Sequence, residues 1–303
     1  MVVALVTGAS GMLGSSLVRR LSETGKYNVI GMTRSDADLL NAEEVADFFV
    51  KSKPDIVFHC AAKVAGLGGN SSFPAQFFDE NILINTHVVR ASRTAGASKV
   101  VAVGTTAIYS DMIPLPMKEA DIWKGPPHHS EVAYGVAKRA MLTQLQAYHK
   151  QYGLAFGYGI LTNLYGPKDT FDKEFGHVVP SLICKFKEAI DAGAAVEVWG
   201  DGTPQRDFLF VDDAADALIT VAEKGFGPFN VASGKTTTIK QLVEILKEVS
   251  GFSGTVNWAT SKPNGQMLRQ YDISSISALG FEAKTDLRDG ARQTWDWYLN
   301  KES

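Results

Sequence analysis

The first half of the chain alternates short apolar runs with longer amphipathic segments. The apolar runs have the length of strands and lie at Val2–Thr7, Tyr27–Met32, Ile56–His59 and Val100–Val103. The amphipathic segments carry apolar residues at helical spacing and lie before about Glu23, at Ala42–Lys51 and at Phe73–Ala95. Strands that alternate with helices predict a parallel, doubly wound (Rossmann) α/β sheet, because parallel strands need crossover connections.

The second half follows a different pattern. Its apolar runs, Ala155–Leu161, Val196–Trp199 and Gly227–Val231, are separated by longer segments with Gly and Pro. We therefore expect a Rossmann domain over residues 1–165, to which about 196–225 return. Residues 166–303 are expected to form mainly a smaller, discontinuous α/β lobe that binds the substrate.

Composition excludes several classes of protein. The 303 residues carry a net charge of −3 and have a pI near 6.1, so no basic excess indicates nucleic acid or an anionic membrane. No apolar run approaches the roughly 20 residues of a membrane helix, and the chain starts directly in a strand, so we expect no signal peptide. Cys60 and Cys184 make neither a disulfide framework nor a metal cluster. We expect a cytoplasmic protein with two reduced thiols and no metal.

A glycine-rich turn joins the first strand to the first helix. The sequence TGASGMLG places Gly8, Gly11 and Gly14 between them. Such glycines permit a tight turn and a close approach of the backbone to a pyrophosphate, which the helix N-terminus then binds. The turn predicts a dinucleotide site, and its contact residues are expected to be Gly8, Ser10, Gly11, Met12, Leu13 and Gly14.

The end of the second strand indicates which dinucleotide binds. An NAD site usually has an acid about 20 residues past the glycines, on the ribose hydroxyls. Here Arg34 and Ser35 stand there instead, and a guanidinium suits a 2′-phosphate. We therefore predict NADP(H), with Asp38 and Leu39 beside the adenine. In the alternative, Arg34 is a solvated surface residue and Asp36 or Asp38 binds a ribose.

A tyrosine and a lysine lie one helical turn apart, on one helix face, in YGVAK at Tyr134 and Lys138. A neighbouring ammonium and the positive nicotinamide would lower the pKa of the tyrosine. It could then exchange a proton with a carbonyl oxygen while the nicotinamide exchanges a hydride. The strand end GTTAIYS, 104–110, offers Thr105 as a hydroxyl that holds the same oxygen. These residues predict a dehydrogenase or reductase.

Taken together, the motifs resemble those of the extended short-chain dehydrogenases/reductases, and in detail those of the GDP-L-fucose synthase family. The resemblance spans almost the whole chain. It rests on TGASGMLG, HCAAKVAG at 59–66, GTTAIYS, GPPHHSEVAYGVAKR, TNLYGPKDTFD, GHVVPSLICKF at 176–186, VWGDGTPQRDFLFVDD at 198–213 and KPNGQMLRQYD near the C-terminus. It implies NADP(H) as cofactor, with Ala61 and Ala62 among its contacts, and a GDP-linked 4-keto-6-deoxy sugar as substrate.

The resemblance also assigns roles to single positions. Thr105, Tyr134 and Lys138 stand where the family keeps its catalytic Ser/Thr, Tyr and Lys. The positions that match substrate contacts of the family are Asn163, Lys185, Trp199, Arg206 and Arg269. For Trp199 and Lys185, core packing and a solvated helix charge are the alternatives. In the family, segments like Phe73–Ala95 and Val132–Tyr152 pair across a two-fold axis, which implies a homodimer.

Ala107 departs from the family pattern. The family inverts C3 and C5 of the sugar with a cysteine and a histidine before it reduces the C4 ketone. His177 occupies the histidine position, but Ala107 occupies that of the cysteine, and a methyl group carries no acidic proton. Either the protein only reduces the ketone, or a substitute acid acts, for which Thr106, Tyr109, His128 and His129 are available. The alanine could also be an engineered exchange.

Other functions fit the sequence less well. A sugar-nucleotide dehydratase of this fold carries an acid pair directly after the catalytic threonine, where this chain has Thr106 and Ala107. A UDP-sugar 4-epimerase would hold NAD, which Arg34 disfavours. A non-catalytic NADPH-binding protein would tend to lose Tyr134 or Lys138, and both are present.

Overall fold

A six-stranded parallel sheet forms the centre of the computed structural model, which describes residues 1–64, 72–173, 176–262, 264 and 266–302. In spatial order the strands are β2 (Tyr27–Met32), β1 (Val2–Thr7), β3 (Ile56–His59), β4 (Lys99–Thr105), β5 (Ala155–Leu161) and β9 (Gly227–Val231). The chain leaves β1 toward β2 and returns to β3 on the other side, so a crevice forms at the carboxyl ends of β1 and β3. The last two positions of the 59–66 motif, and Pro263 and Gly265 of the C-terminal motif, lie outside the described residues.

Helices cover both faces of the sheet. The helices are α1 (Met12–Glu23), α2 (Ala42–Ser52), α3 (Pro74–Thr94), α4 (Val132–Tyr152), α5 (Val178–Ala192), α6 (Val211–Lys224), α7 (Ile239–Ser250), α8 (Ser274–Ser277) and α9 (Leu287–Glu302). Helix α1 packs on α6, and α3 packs on α2 and α4. The side chains of β1 alternate between two apolar cores, Ala4 and Val6 in one and Leu5 in the other. The doubly wound fold predicted from the sequence is confirmed.

Local signals in the sequence explain where several helices begin and end. The side chain of Asn41 accepts the backbone N–H groups of Glu43 and Glu44 and so caps α2. Thr238 and Gln241 form a reciprocal capping box at the start of α7. Gly153 ends α4 with a φ of 75°, a left-handed conformation that glycine adopts without strain.

Lys99 connects the main sheet to the end of α6. Its half-buried ammonium donates to the carbonyl oxygens of Val221, Ala222 and Gly225 at 2.8, 2.7 and 2.7 Å. The Val221 carbonyl also accepts the Gly225 N–H at 3.0 Å, whereas carbonyls after it in the last turn have no further helical N–H to accept. A cation at a helix C-terminus also interacts favourably with the helix dipole. Lys99 therefore anchors α6 over the sheet.

The remaining strands build two small sheets. One has the order β10 (Thr236–Thr238), β8 (Gln205–Phe210), β6 (Asn163–Tyr165), and the other pairs β7 (Val196–Trp199) with β11 (Val256–Ala259). We expect the segment 196–225 to return to the Rossmann domain, and its two ends behave differently. Helix α6 packs on α1 and β5 of the main sheet, whereas β7 pairs with β11 in a small sheet. Strand β9 joins the main sheet as its edge strand although it follows residue 166. The domain boundary near residue 165 stays a prediction.

None of the helices in the described part of the chain is long and apolar enough to cross a membrane.

Candidate active site

The glycine-rich turn lies at the carboxyl end of β1. Gly8 has a φ of +71°, and a Cβ atom there would lie 2.9 Å from the backbone nitrogen of Ala61, while a Cβ at Gly14 would collide with the Gly8 carbonyl. At Gly8 and Gly14 the neighbouring backbone leaves no space for a side chain, so both positions need glycine. A Cβ at Gly11 would meet only the Gly8 carbonyl oxygen, at an ordinary 3.4 Å. The absence of a side chain at Gly11 is therefore not needed for packing, but it leaves space over the start of α1.

A cavity of about 360 Å³ opens beside this turn, between the ends of β1, β2 and β3. The predicted cofactor residues that line it are Gly8, Ser10, Gly11, Arg34, Asp38, Leu39, Ala61 and Ala62. The predicted residues Met12, Leu13, Gly14, Ser35, Tyr134 and Lys138 do not line it. The structure adds Lys63 and Glu80, whose side chains form an ion pair at 3.5 Å, and Ile84. Glu80 and Ile84 come from α3, whose helical spacing in the sequence gave no sign that it borders the crevice.

Arg34 is the exposed cation at the rim of this cavity. The structure gives it no hydrogen bond or ion pair among the described residues. The neighbouring acids are engaged elsewhere: Asp36 accepts the backbone N–H and hydroxyl of Thr33 at 2.8 and 2.7 Å, and Asp38 accepts the Leu40 N–H at 3.1 Å. The arrangement leaves a guanidinium, rather than a free carboxylate, available at the place where an adenosine ribose would bind.

The predicted catalytic pair lies on the first two turns of α4. Tyr134 and Lys138 are buried, and the Lys138 ammonium lies 5.8 Å from the centre of the Tyr134 ring and donates to the Val103 carbonyl oxygen at 2.9 Å. The first turn of α4 packs on the short 3-10 turn Thr106–Ile108, which follows Thr105 directly. Packing of α4 against the end of β4 thus brings the two halves of the predicted triad to the same end of the sheet. The Thr105 hydroxyl accepts the Ala107 N–H at 3.2 Å.

Burial of the phenol raises the pKa of Tyr134 above its usual range, and the carboxylate of Glu131 raises it further. The lowering of this pKa by Lys138 together with the positive nicotinamide stays a prediction. The same burial lowers the pKa of Lys138 to about 8. Both shifts arise because removal from water disfavours the charged form. Tyr134 is therefore protonated at neutral pH, as a proton donor must be.

Ala107 is buried where α4 meets the 3-10 turn. Of the substitute acids, Tyr109 donates its hydroxyl proton to Asn230 Oδ1 at 2.7 Å, and burial raises the pKa of this phenol well above its usual range. The ring of His128 lies 4.1 Å from that of His129, centre to centre, and its Nδ1 lies 2.8 Å from the Ser130 hydroxyl. The geometry thus disfavours Tyr109 as an acid and leaves Thr106 and the two histidines.

Two of the predicted substrate residues, Arg206 and Arg269, lie on adjacent backbone segments. The backbone N–H of Arg269 contacts the carbonyl oxygen of Gln205 at 3.4 Å, directly before Arg206. The positive charge of Arg269 and burial both lower the pKa of Arg206, burial more strongly. Arg269 itself forms an ion pair with Glu131 at 3.0 Å. Neither arginine is a solvated surface charge, and together they form a partly buried cationic site.

The other predicted substrate residues lie on both sides of the small sheets. Asn163 donates through Nδ2 to the Asp207 carbonyl oxygen at 3.0 Å. Trp199 is 58% exposed, and the ammonium groups of Lys185 and Lys262 each lie 5.5 Å from its ring centre. This exposure excludes the core-packing alternative for Trp199. Lys262 was not predicted, and nothing in its spacing pointed to Trp199.

His177 is exposed and precedes α5. Its charge lowers the pKa of the buried Asp169 carboxyl, against a larger rise that burial causes. Asp169 accepts the Thr170 N–H through Oδ1 at 2.7 Å, and its Oδ2 has no hydrogen-bond partner among the described residues. A buried carboxylate therefore faces the histidine that the resemblance singles out. No group of three or more His, Cys, Asp or Glu side chains in the described ranges could hold a metal ion.

A parallel Rossmann sheet, a glycine turn at its crevice and a buried Tyr–Lys pair define a class of dinucleotide-dependent dehydrogenases, reductases and epimerases. The sequence profile of the NAD dependent epimerase/dehydratase family matches residues 4–232. The chain belongs to this family.

Comparisons with individual proteins indicate which members of this family the chain resembles. The chain is 40% identical to a protein of Arabidopsis thaliana named putative GDP-L-fucose synthase 2, over 97% of this chain and 90% of that one. Among solved structures, a GDP-6-OMe-4-keto-L-xylo-heptose reductase from C. jejuni has a TM-score of 0.91 at 29% identity, with 99% and 98% of the two chains covered. A GDP-L-fucose synthetase from Naegleria fowleri bound to NADP also reaches 0.91, at 28% identity, with 99% and 95% covered. The resemblance to the GDP-L-fucose synthase family is confirmed.

Proposed function

We propose that the protein reduces the C4 ketone of a GDP-linked 4-keto-6-deoxy hexose with NADPH. The observation that carries this proposal is the position of Glu131. It forms an ion pair with Arg269, a predicted substrate contact, and its charge acts on Tyr134, the predicted proton donor. A pyrophosphate-linked sugar on Arg269 and Arg206 would then lie beside the phenol. Relatives named as GDP-sugar reductases and GDP-L-fucose synthases support the same substrate class.

The residues at the crevice fit NADPH. Gly11 leaves room for a pyrophosphate over the N-terminus of α1, where Gly11 contributes no side-chain cap and the first turn has no acid. Arg34 offers an unengaged guanidinium for a 2′-phosphate. When bound, NADPH supplies the hydride that reduces the ketone carbon.

The side chains of this chain supply the proton and hold the ketone. Tyr134 donates its phenolic proton to the ketone oxygen, which the hydroxyl of Thr105 holds by a hydrogen bond. Lys138, held by the Val103 carbonyl, places a positive charge near the phenol and stabilises the phenolate that forms. Asn163, positioned by the Asp207 carbonyl, and the exposed face of Trp199 bind other parts of the substrate.

For the inversion of C3 and C5, the resemblance places a cysteine at position 107, and Ala107 has no acidic proton to replace it. We therefore propose reduction without 3,5-epimerisation. A full GDP-L-fucose synthase reaction is the second candidate, because His177 is present with the Asp169 carboxylate facing it. In that case Thr106, His128 or His129 must act as the acid. Ala107→Cys should then restore or raise epimerisation, and unchanged product stereochemistry would count against this view of position 107.

The assay is oxidation of NADPH, followed at its nicotinamide absorbance, on addition of GDP-4-keto-6-deoxy-D-mannose. We expect turnover that depends on both compounds and that falls sharply with Tyr134→Phe. The UDP-linked analogue of the same sugar serves as the control for the nucleotide. Absence of NADPH oxidation, despite NADPH binding, would favour a non-catalytic NADPH-binding protein.

We further propose a cytoplasmic homodimer. Exposed apolar side chains cluster on α3 and α4, the two helices that the resemblance assigns to the dimer contact. These are Phe78, Leu83, Val132, Val136 and Tyr152. Their burial in a second copy would remove apolar area from water. Both cysteines are free, which agrees with a reducing compartment. Sedimentation of the protein at micromolar concentration, with Leu83→Glu as the variant expected to be monomeric, tests the dimer.

A further inference from the structure

Glu131 is a partly buried carboxylate that no sequence motif assigned to a function. It ends the short 3-10 turn His129–Glu131 that leads into α4. Its side chain is 16% exposed, and its Oε2 accepts from Nη2 of Arg269 at 3.0 Å. Arg269 is 17% exposed, and its Nε donates to Gln266 Oε1 at 2.6 Å. Two protein acceptors, one of them charged, therefore fix the orientation of this guanidinium.

The position of Glu131 also relates it to the reacting centre. It lies three residues before Tyr134 and adds a negative charge near that phenol. The charged or titratable groups around Tyr134 are Glu131, Lys138 and Tyr158. Glu131 thus lies near the predicted proton donor in the chain and contacts Arg269, a predicted substrate residue.

We propose that Glu131 is a positioning residue that holds Arg269 toward the pyrophosphate of the GDP-linked substrate. The inference rests on the proposed function, since it takes Arg269 as a ligand of the nucleotide. Glu131 acts through the Arg269 side chain and does not touch the reacting atoms.

The charges explain why a carboxylate is needed. Arg206 and Arg269 repel each other, and partial burial weakens their solvation. Glu131 offsets this repulsion, because its charge favours the protonated form of both arginines. The ion pair with Glu131 also restricts rotation of the Arg269 side chain before the substrate binds, so less conformational entropy is lost on binding.

Two variants separate the reach of the side chain from its charge. Glu131→Asp keeps the negative charge but is one methylene too short for the contact with Arg269. Glu131→Gln keeps the reach but removes the charge. Glu248→Gln is the matched control, because Glu248 pairs with Arg288 in the small lobe. Melting temperature and NADPH affinity, read by fluorescence, establish that each variant is folded and binds cofactor.

We expect both Glu131 variants to weaken binding of GDP, measured by calorimetry, and to raise the KM for the sugar nucleotide about tenfold or more, since misplaced positioning groups typically cost this much. NADPH affinity should not change. In the background of Arg269→Gln, the further change Glu131→Gln should add little to the loss of GDP affinity, because the two side chains act as one unit.

The split between KM and kcat distinguishes positioning from a structural role. Both Glu131 variants should raise KM while kcat at saturating substrate stays within about threefold of wild type, because the reacting groups are unchanged. Glu248→Gln should keep both values. Wild-type GDP affinity and wild-type KM in both Glu131 variants would overturn the proposal. A wild-type protein that neither binds GDP nor oxidises NADPH would instead refute the proposed function.

Discussion

Replacement of Arg34 by alanine tests how the protein selects its cofactor. The guanidinium is exposed at the rim of the 360 Å³ cavity and has no hydrogen bond or ion pair among the described residues. Its removal therefore breaks no contact within the protein, and the melting temperature should not change. Any effect must then come from the bound cofactor, and only from the part that Arg34 contacts.

The size of the expected loss in NADPH affinity follows from the exposure of the Arg34 side chain. Hydrogen bonds to charged groups contribute about 1.5–3 kcal/mol, with exposed ion pairs worth less. Because Arg34 stays partly in water, the lower half of this range applies, about 1.5–2 kcal/mol, or about a ten- to thirtyfold loss of affinity. NADH has no 2′-phosphate, so its affinity should stay within about twofold of the wild-type value.

In the assay, NADPH or NADH is titrated into the wild-type protein and into Arg34→Ala, and binding is followed by the quenching of tryptophan fluorescence. Arg288→Ala, which removes an arginine from α9, is the control for loss of a positive charge. An equal loss for both cofactors would refute the 2′-phosphate contact. Unchanged NADPH binding would mean that Arg34 is a solvated surface residue.

Four further substitutions test the packing of the fold and the charge of Lys138. Gly14→Ala should lower the melting temperature by several degrees, because its Cβ meets the Gly8 carbonyl, whereas Gly11→Ala should keep the melting temperature and weaken NADPH binding. Lys99→Met removes three hydrogen bonds to carbonyl oxygens at the end of α6 and should cost about 1–3 kcal/mol in urea unfolding. Burial lowers the pKa of Lys138 to about 8, so between pH 8 and its unfolded value near 10.4 the unfolded chain binds more protons. The unfolding free energy of wild type relative to Lys138→Met should therefore rise with pH across this window, and a flat difference would contradict the shift.

Local patterns in the sequence predicted the main sheet well. Strands β1, β2 and β3 have the predicted bounds, and β4 extends the predicted Val100–Val103 by a few residues to Lys99–Thr105. These runs are apolar on both sides because helices cover both faces of a parallel sheet, so the signal is strong. The three-residue strands β6 and β10 gave no comparable signal. Their pairing with β8 is set by tertiary contacts rather than by periodicity.

The site was predictable where a motif is local, and not where distant segments meet. Most of the predicted cofactor residues line one cavity, because the glycine turn and the strand ends fix their positions. The raised pKa of Tyr134 was missed, since it depends on burial by segments that close over the phenol. The ion pair of Glu131 with Arg269 spans 138 residues, and no spacing rule indicates such a contact. Lys262 beside Trp199 was missed for the same reason.

Proton NMR of the product formed in D2O from GDP-4-keto-6-deoxy-D-mannose and NADPH tests the central claim most directly. Inversion at C3 or C5 exchanges the proton of that carbon with solvent, whereas reduction at C4 does not. Reduction without epimerisation predicts a C4-reduced D-sugar with no deuterium at C3 or C5, in contrast to the product of Ala107→Cys. A GDP-L-fucose product that carries deuterium at both carbons in the wild-type protein would contradict the proposed role of Ala107.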